Sequence, residues 1–420
     1  MKTTILAALA AMTTTNIFAE SLFSDSLAVT EASAPTEETY DADNGIVTIG
    51  SDRMFQIESK DHRFSFKPYL MLQTTVNFNY YDDEGLDKAY NQDNVANSGF
   101  SFPYAILGFT GKAFNNITYN LSVNAAASGA DILQQAWFDV YISKGLAVRA
   151  GKFKTPFTSA YLTTLGETLF PMLPVSLTSA VIMPYSLNAA NPKIGTGFDL
   201  GVMLHGKICP VLGYEFGIFN GNGSGSNKAT KTFSDDWHIP SLLYAGRLSW
   251  TPYGNMPRTQ GNYKMLNEHK LEVALSGSVN VESESESTND TRVGLEVSYL
   301  SGRWFLGGEF YWMNVGFTKR QKIDKSYNFL GGYAQAGFFV AKQWQLAARY
   351  DLFNRNGTGS DGILNSPAVG CNYFLKNTGL KLSAMYQFVG RTGHKTQLDR
   401  DNDDLGIAKH SAIIMMQYTF

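Results

Sequence analysis

The chain has 420 residues, 17% of them charged, and a formal net charge of −3, which gives no basic footprint for nucleic acid. Its 28 Phe, 22 Tyr and 39 Gly favour strands and turns over helices. Beyond the N-terminus no run of about 18 uncharged apolar residues occurs, which excludes helical membrane spans.

Residues 1–19, MKTTILAALAAMTTTNIFA, carry Lys2, an apolar stretch from Ile5 to Met12 and a small residue, Ala19, at the end. This predicts a secretory signal peptide, since the apolar part is too short to span a membrane. Residues 20–44 are acidic, rich in Ser and Thr, and without period, which predicts a flexible leader. The leader belongs to a periplasmic N-terminal segment running over 20–63. The pattern changes at Phe64 and holds to Phe420.

From there, alternating segments recur, separated by Gly, Asn, Asp, Ser and Pro clusters, and sixteen can be counted. NITYNLSVN (116–124) shows the type: Asn116, Thr118, Asn120, Ser122 and Asn124 share one strand face, and Ile117, Tyr119, Leu121 and Val123 the other. Connections alternate too. Short links such as KAFNN, SKG and GKICP are interleaved with long ones at 81–99, 155–197, 221–240, 313–328, 353–367 and 390–409. Only the link 252–267 breaks the scheme. Short turns at one rim and long loops at the other predict an all-β, transmembrane antiparallel β-barrel of about 16 strands over 64–420.

A barrel of that size leaves an aqueous lumen, so the apolar faces belong against lipid and the charged faces inside. Leu271, Val273 and Leu275 would look outward, with Lys270, Glu272 and Ser276 inward. Aromatics near segment ends, among them Tyr80, Tyr81, Trp137, Tyr141, Trp250, Tyr253, Trp304, Trp312, Trp344 and Phe420, read as membrane-interface girdles. The last segment, SAIIMMQYTF, alternates without fault and stops on an aromatic, similar to the C-terminal strand of bacterial outer-membrane barrels.

DHRFSFKPYLMLQTTVNF (61–78), LAVRAGKFKTPF (146–157), YAGRLSWTP (244–252), LGGYAQAGFFV and QLAARYD together resemble the phosphate-selective porin family of diderm bacteria. The resemblance covers nearly all of 61–420. It implies a homotrimer in the cell outer membrane, passing small hydrophilic solutes or ions, phosphate among them. It also implies that loop 155–197 folds into the lumen as a constriction, with Arg149, Lys152, Lys154 and Lys193 lining it against Glu167.

Further along the pore, the register places the bases Arg247, Lys270, Arg292, Arg349 and Lys381 inside with Arg149. Inward acids are Asp139, Asp199, Glu215, Glu272, Glu296, Glu309 and Asp351. The two sets nearly cancel, so a strongly positive funnel is not evident and weakly selective diffusion is expected. Two other readings stand beside this one: a monomeric, substrate-specific channel, and a secreted soluble β-sandwich.

No Ser, His and acid arrangement suggests an enzyme, and no cofactor is called for. The six histidines lack metal spacing. GTGSDG (357–362) precedes no helix and reads as a loop. DRDNDDLG (399–406) spaces Asp399, Asp401 and Asp403 like a calcium loop, but Asp404 stands where the turn needs Gly, so a solvated loop is expected. Cys209 and Cys371 are expected to be unpaired rather than bridged.

Overall fold

Side-chain alternation builds a single sheet that closes on itself. The computed structural model describes residues 37–41, 46–51, 54–81, 95–178, 197–221, 223, 242–263, 267–281, 288–317, 326–354, 359–375, 379–393 and 408–420. The expected signal peptide and the Asp399–Asp404 stretch lie outside the described residues. Three short strands come first, β1 (Glu37–Asp41), β2 (Ile46–Ser51) and β3 (Met54–Ser59). The wall begins with β4 (Phe64–Tyr81), β5 (Val95–Ala113), β6 (Ile117–Asn124), β7 (Leu133–Ser143), β8 (Leu146–Lys154), β9 (Phe198–Cys209), β10 (Leu212–Phe219) and β11 (Leu243–Trp250). It continues with β12 (Lys270–Asn280), β13 (Thr288–Ser301), β14 (Trp304–Phe317), β15 (Ser326–Ala341) and β16 (Trp344–Asn354). After a short β17 (Ile363–Asn365) come β18 (Ala368–Phe374), β19 (Leu380–Phe388), a short β20 (Gly390–Thr392) and β21 (His410–Thr419).

Leaving out β1–β3, β17 and β20, the wall has the sixteen strands expected from the sequence, all antiparallel. Closure runs from His410↔Tyr80 to Thr419↔Met71, and Phe420 exchanges two backbone hydrogen bonds of 3.2 Å with Leu70. No unpaired edge remains in the wall. The N-terminal meander was not legible: Glu37–Asp41 forms a strand within the stretch read as a leader without period, and β3 joins β4 through Ile57↔Phe66 and Glu58↔Ser65.

The faces sort as expected. Asn120, Ser122 and Asn124 are buried inside, and Leu275, Leu295, Leu306, Phe310, Leu346, Ile414 and Met416 stand exposed outside. Apolar outside and polar inside is the reverse of a soluble barrel, which answers how the NITYNLSVN stretch meets its surroundings. Three of the girdle aromatics are corrected. Trp137, Tyr141 and Tyr81 share the inner face: Trp137 lies under the Arg149 guanidinium at 4.0 Å, Tyr141 packs edge-on to His205, and Tyr81 is buried. Position near a strand end indicates depth in the membrane and not which face is wet. Leu295 sits midway along β13 and is 48% exposed on the outer face. Leu295→Arg is expected to destabilise the folded barrel in lipid by about 2–4 kcal/mol, the cost of a midplane cation, measured by urea unfolding in vesicles.

Candidate functional site: a constriction loop held by the wall charges

The described part of the long loop between β8 and β9 enters the lumen and is packed there as a core. A wide barrel cannot fill itself with wall side chains, so a segment that crosses it supplies the packing. Phe157, Ala160, Val175 and Leu177 meet Tyr311, Met313, Phe329, Tyr333 and Phe353 of the wall. Tyr161 and Leu165 pack on Tyr69, Met71, Tyr104 and Ile106, while Leu169 and Phe170 pack among Phe305, Ala347 and Met385. Two short helical turns, α1 (Ser159–Leu162) and α2 (Val175–Leu177), give the loop its shape. Thr158 caps α1 by accepting a 3.2 Å hydrogen bond from Tyr161 N.

A buried loop exposes backbone polar groups that find no ladder partner, and each would be costly if left unmade. The wall charges supply the partners, sorted by sign. Carboxylates take the N–H groups: Glu296 accepts from Thr158 N at 3.0 Å, Glu309 from Ala160 N at 2.6 Å and Asp351 from Ser176 N at 3.1 Å. Cations take the carbonyls: Lys154 donates to Tyr161 O at 2.7 Å, Lys381 to Thr168 O at 2.6 Å and Arg349 to Met172 O at 2.7 Å. Asn372 adds a bond to Leu169 O at 2.9 Å. These are charge-assisted bonds in a water-poor space, the strong kind.

The densest node surrounds Arg247, which is fully buried. Its Nε donates to Glu296 at 2.8 Å, and its Nη2 donates to Glu272 at 2.6 Å and to Ser159 Oγ at 2.8 Å. Glu215 stands 3.7 Å away, and Arg258 donates to Glu272 at 3.2 Å. Ser159 in turn donates to Glu296 at 2.7 Å, so α1 is tied into the ion network.

The residues singled out from the sequence therefore meet different fates. Arg149 forms a two-pronged pair with Asp139, at 3.0 and 2.7 Å, and His205 lies 2.9 Å from the same carboxylate. Lys152 is fully buried and donates to Ala130 O at 2.9 Å, and Lys154 is spent on the loop's carbonyls. Glu167 is half-buried, with its own carbonyl accepting from Gln260 N and Tyr263 Oη. Lys193 lies outside the described residues. Arg292 is buried on the inner face of β13, and Glu309 also accepts from Tyr311 and Tyr333 hydroxyls at 2.5 and 2.9 Å. Lys270 pairs with Glu268 at 3.2 Å near the short-turn rim. The structure thus gathers Lys154, Arg247, Glu309, Arg349 and Lys381 around one loop, and places Arg149 and Lys270 apart from it.

Ser159, Gln260 and Tyr263 take part without having been foreseen. The last two come from the link that broke the loop alternation: 251–263 also turns inward, and Thr164 N donates to Arg258 O at 3.0 Å. Its irregular length was the only signal. Both cysteines are free thiols, Cys209 exposed and Cys371 partly buried.

Comparison with known proteins agrees with this architecture. An anion-selective porin from Comamonas acidovorans superposes with a TM-score of 0.56 at 14% identity, over 85% of this chain and all of that one. The outer-membrane channel DcaP of Acinetobacter baumannii gives 0.51 at 10% identity, over 86% of this chain and 99% of that one. OmpF of Salmonella typhi, in a complex with daunomycin, gives 0.51 at 10% identity, over 85% and 98%. At such identities these likenesses show the fold alone. No curated protein matches the sequence. The family model for phosphate-selective porin O and P matches residues 72–420, which is most of the chain and all but the start of the wall. The molecule is an outer-membrane porin, and the chain belongs to the phosphate-selective porin O and P family.

Proposed function

We propose that this porin passes small hydrophilic solutes by diffusion as a homotrimer, with a weak preference for anions and without a dedicated phosphate ladder. One observation carries the reading: the wall cations best placed to recognise an anion, Lys154, Arg349 and Lys381, bond the constriction loop's own carbonyls instead. A cation already donating to a buried carbonyl contributes potential but few donors to a passing phosphate. The weak anion preference rests on the short-turn rim. There Lys67, Lys112, Lys207, Arg258 and Lys270 are partly exposed on the inner side, against Glu215 and Glu268. A mouth with more bases than acids raises the local concentration of anions at low ionic strength.

The test is the reversal potential of purified protein in a planar bilayer under a potassium chloride gradient. We expect a small potential of anion-selective sign that shrinks as salt is raised, with millimolar phosphate leaving the chloride current nearly unchanged. A cation-selective potential, or strong block by phosphate, would overturn this reading. Crosslinking in native membranes is expected to give a three-subunit species, and a monomer would favour the substrate-specific channel.

A further inference from the structure

The link between β11 and β12, of which 251–263 and 267–269 are described, lies at the rim where every other described connection, such as 143–146, 301–304 and 341–344, is a tight turn. A tight turn would suffice here as well. The chain instead reverses at Gly254 (φ +83°), whose N–H donates to Thr251 O at 3.2 Å, and runs beneath the constriction loop. Its far end reaches wall strands three and five places beyond β12. Tyr263 packs edge-on to Phe339 of β15 and Phe374 of β18, at 5.8 and 5.1 Å between ring centres. Asn262 donates to Gly302 O at 2.7 Å, and Gln345 donates to Gln260 O at 3.3 Å.

Between these ends the insert bonds the loop itself. Thr164 N donates to Arg258 O at 3.0 Å, Gln260 N to Glu167 O at 2.9 Å, and Leu169 N to Gln260 Oε1 at 2.9 Å. The Tyr263 hydroxyl adds a second donor to Glu167 O at 3.1 Å. Gln260 therefore grips the loop on both sides of Thr168, with its main chain and its side chain. Arg258 completes the arrangement, donating to Glu272 in the same network that holds α1.

We propose that 251–263 is a second constriction element, entering from the periplasmic side, that limits the pore jointly with the 155–178 loop. Gln260 is its positioning residue, and Arg258 is a specificity-determining charge at the inner opening. This rests on the porin reading but goes beyond it, because it makes the pore's width depend on both rims. A solute leaving the loop meets a segment anchored on Phe339 and Phe374. Each segment has wall contacts of its own, so displacing one widens the pore while the other stays in place.

Two variants test it in planar bilayers. Gln260→Ala with Tyr263→Ala removes the side-chain half of the grip and the far anchor together. Its unitary conductance should rise about twofold and larger neutral sugars should pass, with the heat-modifiable folded band retained. In Arg258→Cys, a negatively charged methanethiosulfonate added on the periplasmic side should lower conductance about twofold and cut anion preference, faster than the same reagent added outside. Unchanged conductance in a folded double variant would overturn the proposal. So would an Arg258→Cys channel indifferent to the reagent, which decides the matter if the double variant does not fold. A wild-type protein without any conductance would instead sink the porin reading itself.

Discussion

Arg247→Ala is expected to destabilise the folded barrel by about 3–5 kcal/mol, the cost of leaving buried charge without its partner. The guanidinium is the common counter-ion of Glu272 and Glu296, with Glu215 close by. Removing it leaves these carboxylates in a space closed to water by α1 and the inner wall. Arg258 reaches only Glu272, so Glu296 loses the guanidinium it pairs with. The second effect is on transport. Ser159 is held by Arg247 and by both carboxylates, so α1 should lift from the wall. Single-channel records should show a larger and noisier conductance, and urea unfolding in vesicles should show an earlier midpoint. Arg247→Lys keeps the charge but loses the planar fork, and should fall between the two. A folded Arg247→Ala barrel with wild-type conductance and stability would mean the network is incidental.

A comparable loss is expected at a position with no charge at all. Gly379 makes the turn between β18 and β19 at φ +67°, a conformation that costs an L side chain about 1–2 kcal/mol. A Cβ there would lie 1.8 Å from Thr419 O, a backbone atom of the last strand that cannot swing aside. Thr419 N also donates to Gly379 O at 3.1 Å, so the clash falls on the contact that seats the C-terminal strand. Gly379→Ala should therefore block closure, and the heat-modifiable folded band should fall more than tenfold below that of Gly302→Ala, which corresponds to about 1.4 kcal/mol or more beyond the conformational cost. Gly302 is the control. It turns at φ +54°, but a Cβ there meets nothing within 4 Å, so Gly302→Ala should cost the conformational term alone. Equal yields from the two variants would refute the steric account.

The wall was legible because alternation is a local signal that each strand carries independently. Leu271, Val273 and Leu275 announce a lipid face whatever their neighbours are, and Glu309 announces an inner one. What alternation cannot give is a partner. Glu309 is an inner-face acid in the sequence, but its use, accepting Ala160 N, depends on a loop 149 positions away. Lys152 and Lys154 looked like a cationic eyelet, and only the packed lumen shows that carbonyls claim both. Tyr141 and Trp137 misled for the same reason, since an aromatic at a strand end suits the headgroup level on either face. The insert 251–263 showed itself as an irregular length and no more, because YGNMPRTQG reads as any polar turn until Tyr263 finds Phe339 and Phe374.

The anchors of the constriction loop imply an order of assembly. The loop leaves β8, but its partners lie 138, 149, 175, 213 and 251 positions further on, at Glu296, Glu309, Asp351, Lys381 and Gln417. Contacts so distant in the chain form late, after the closure entropy of everything between them has been met. A half-built barrel thus has wall but no eyelet. It becomes a narrow channel only as β21 reaches β4 and Gln417 meets Gly166, so the permeability barrier and the finished cylinder arrive in one step.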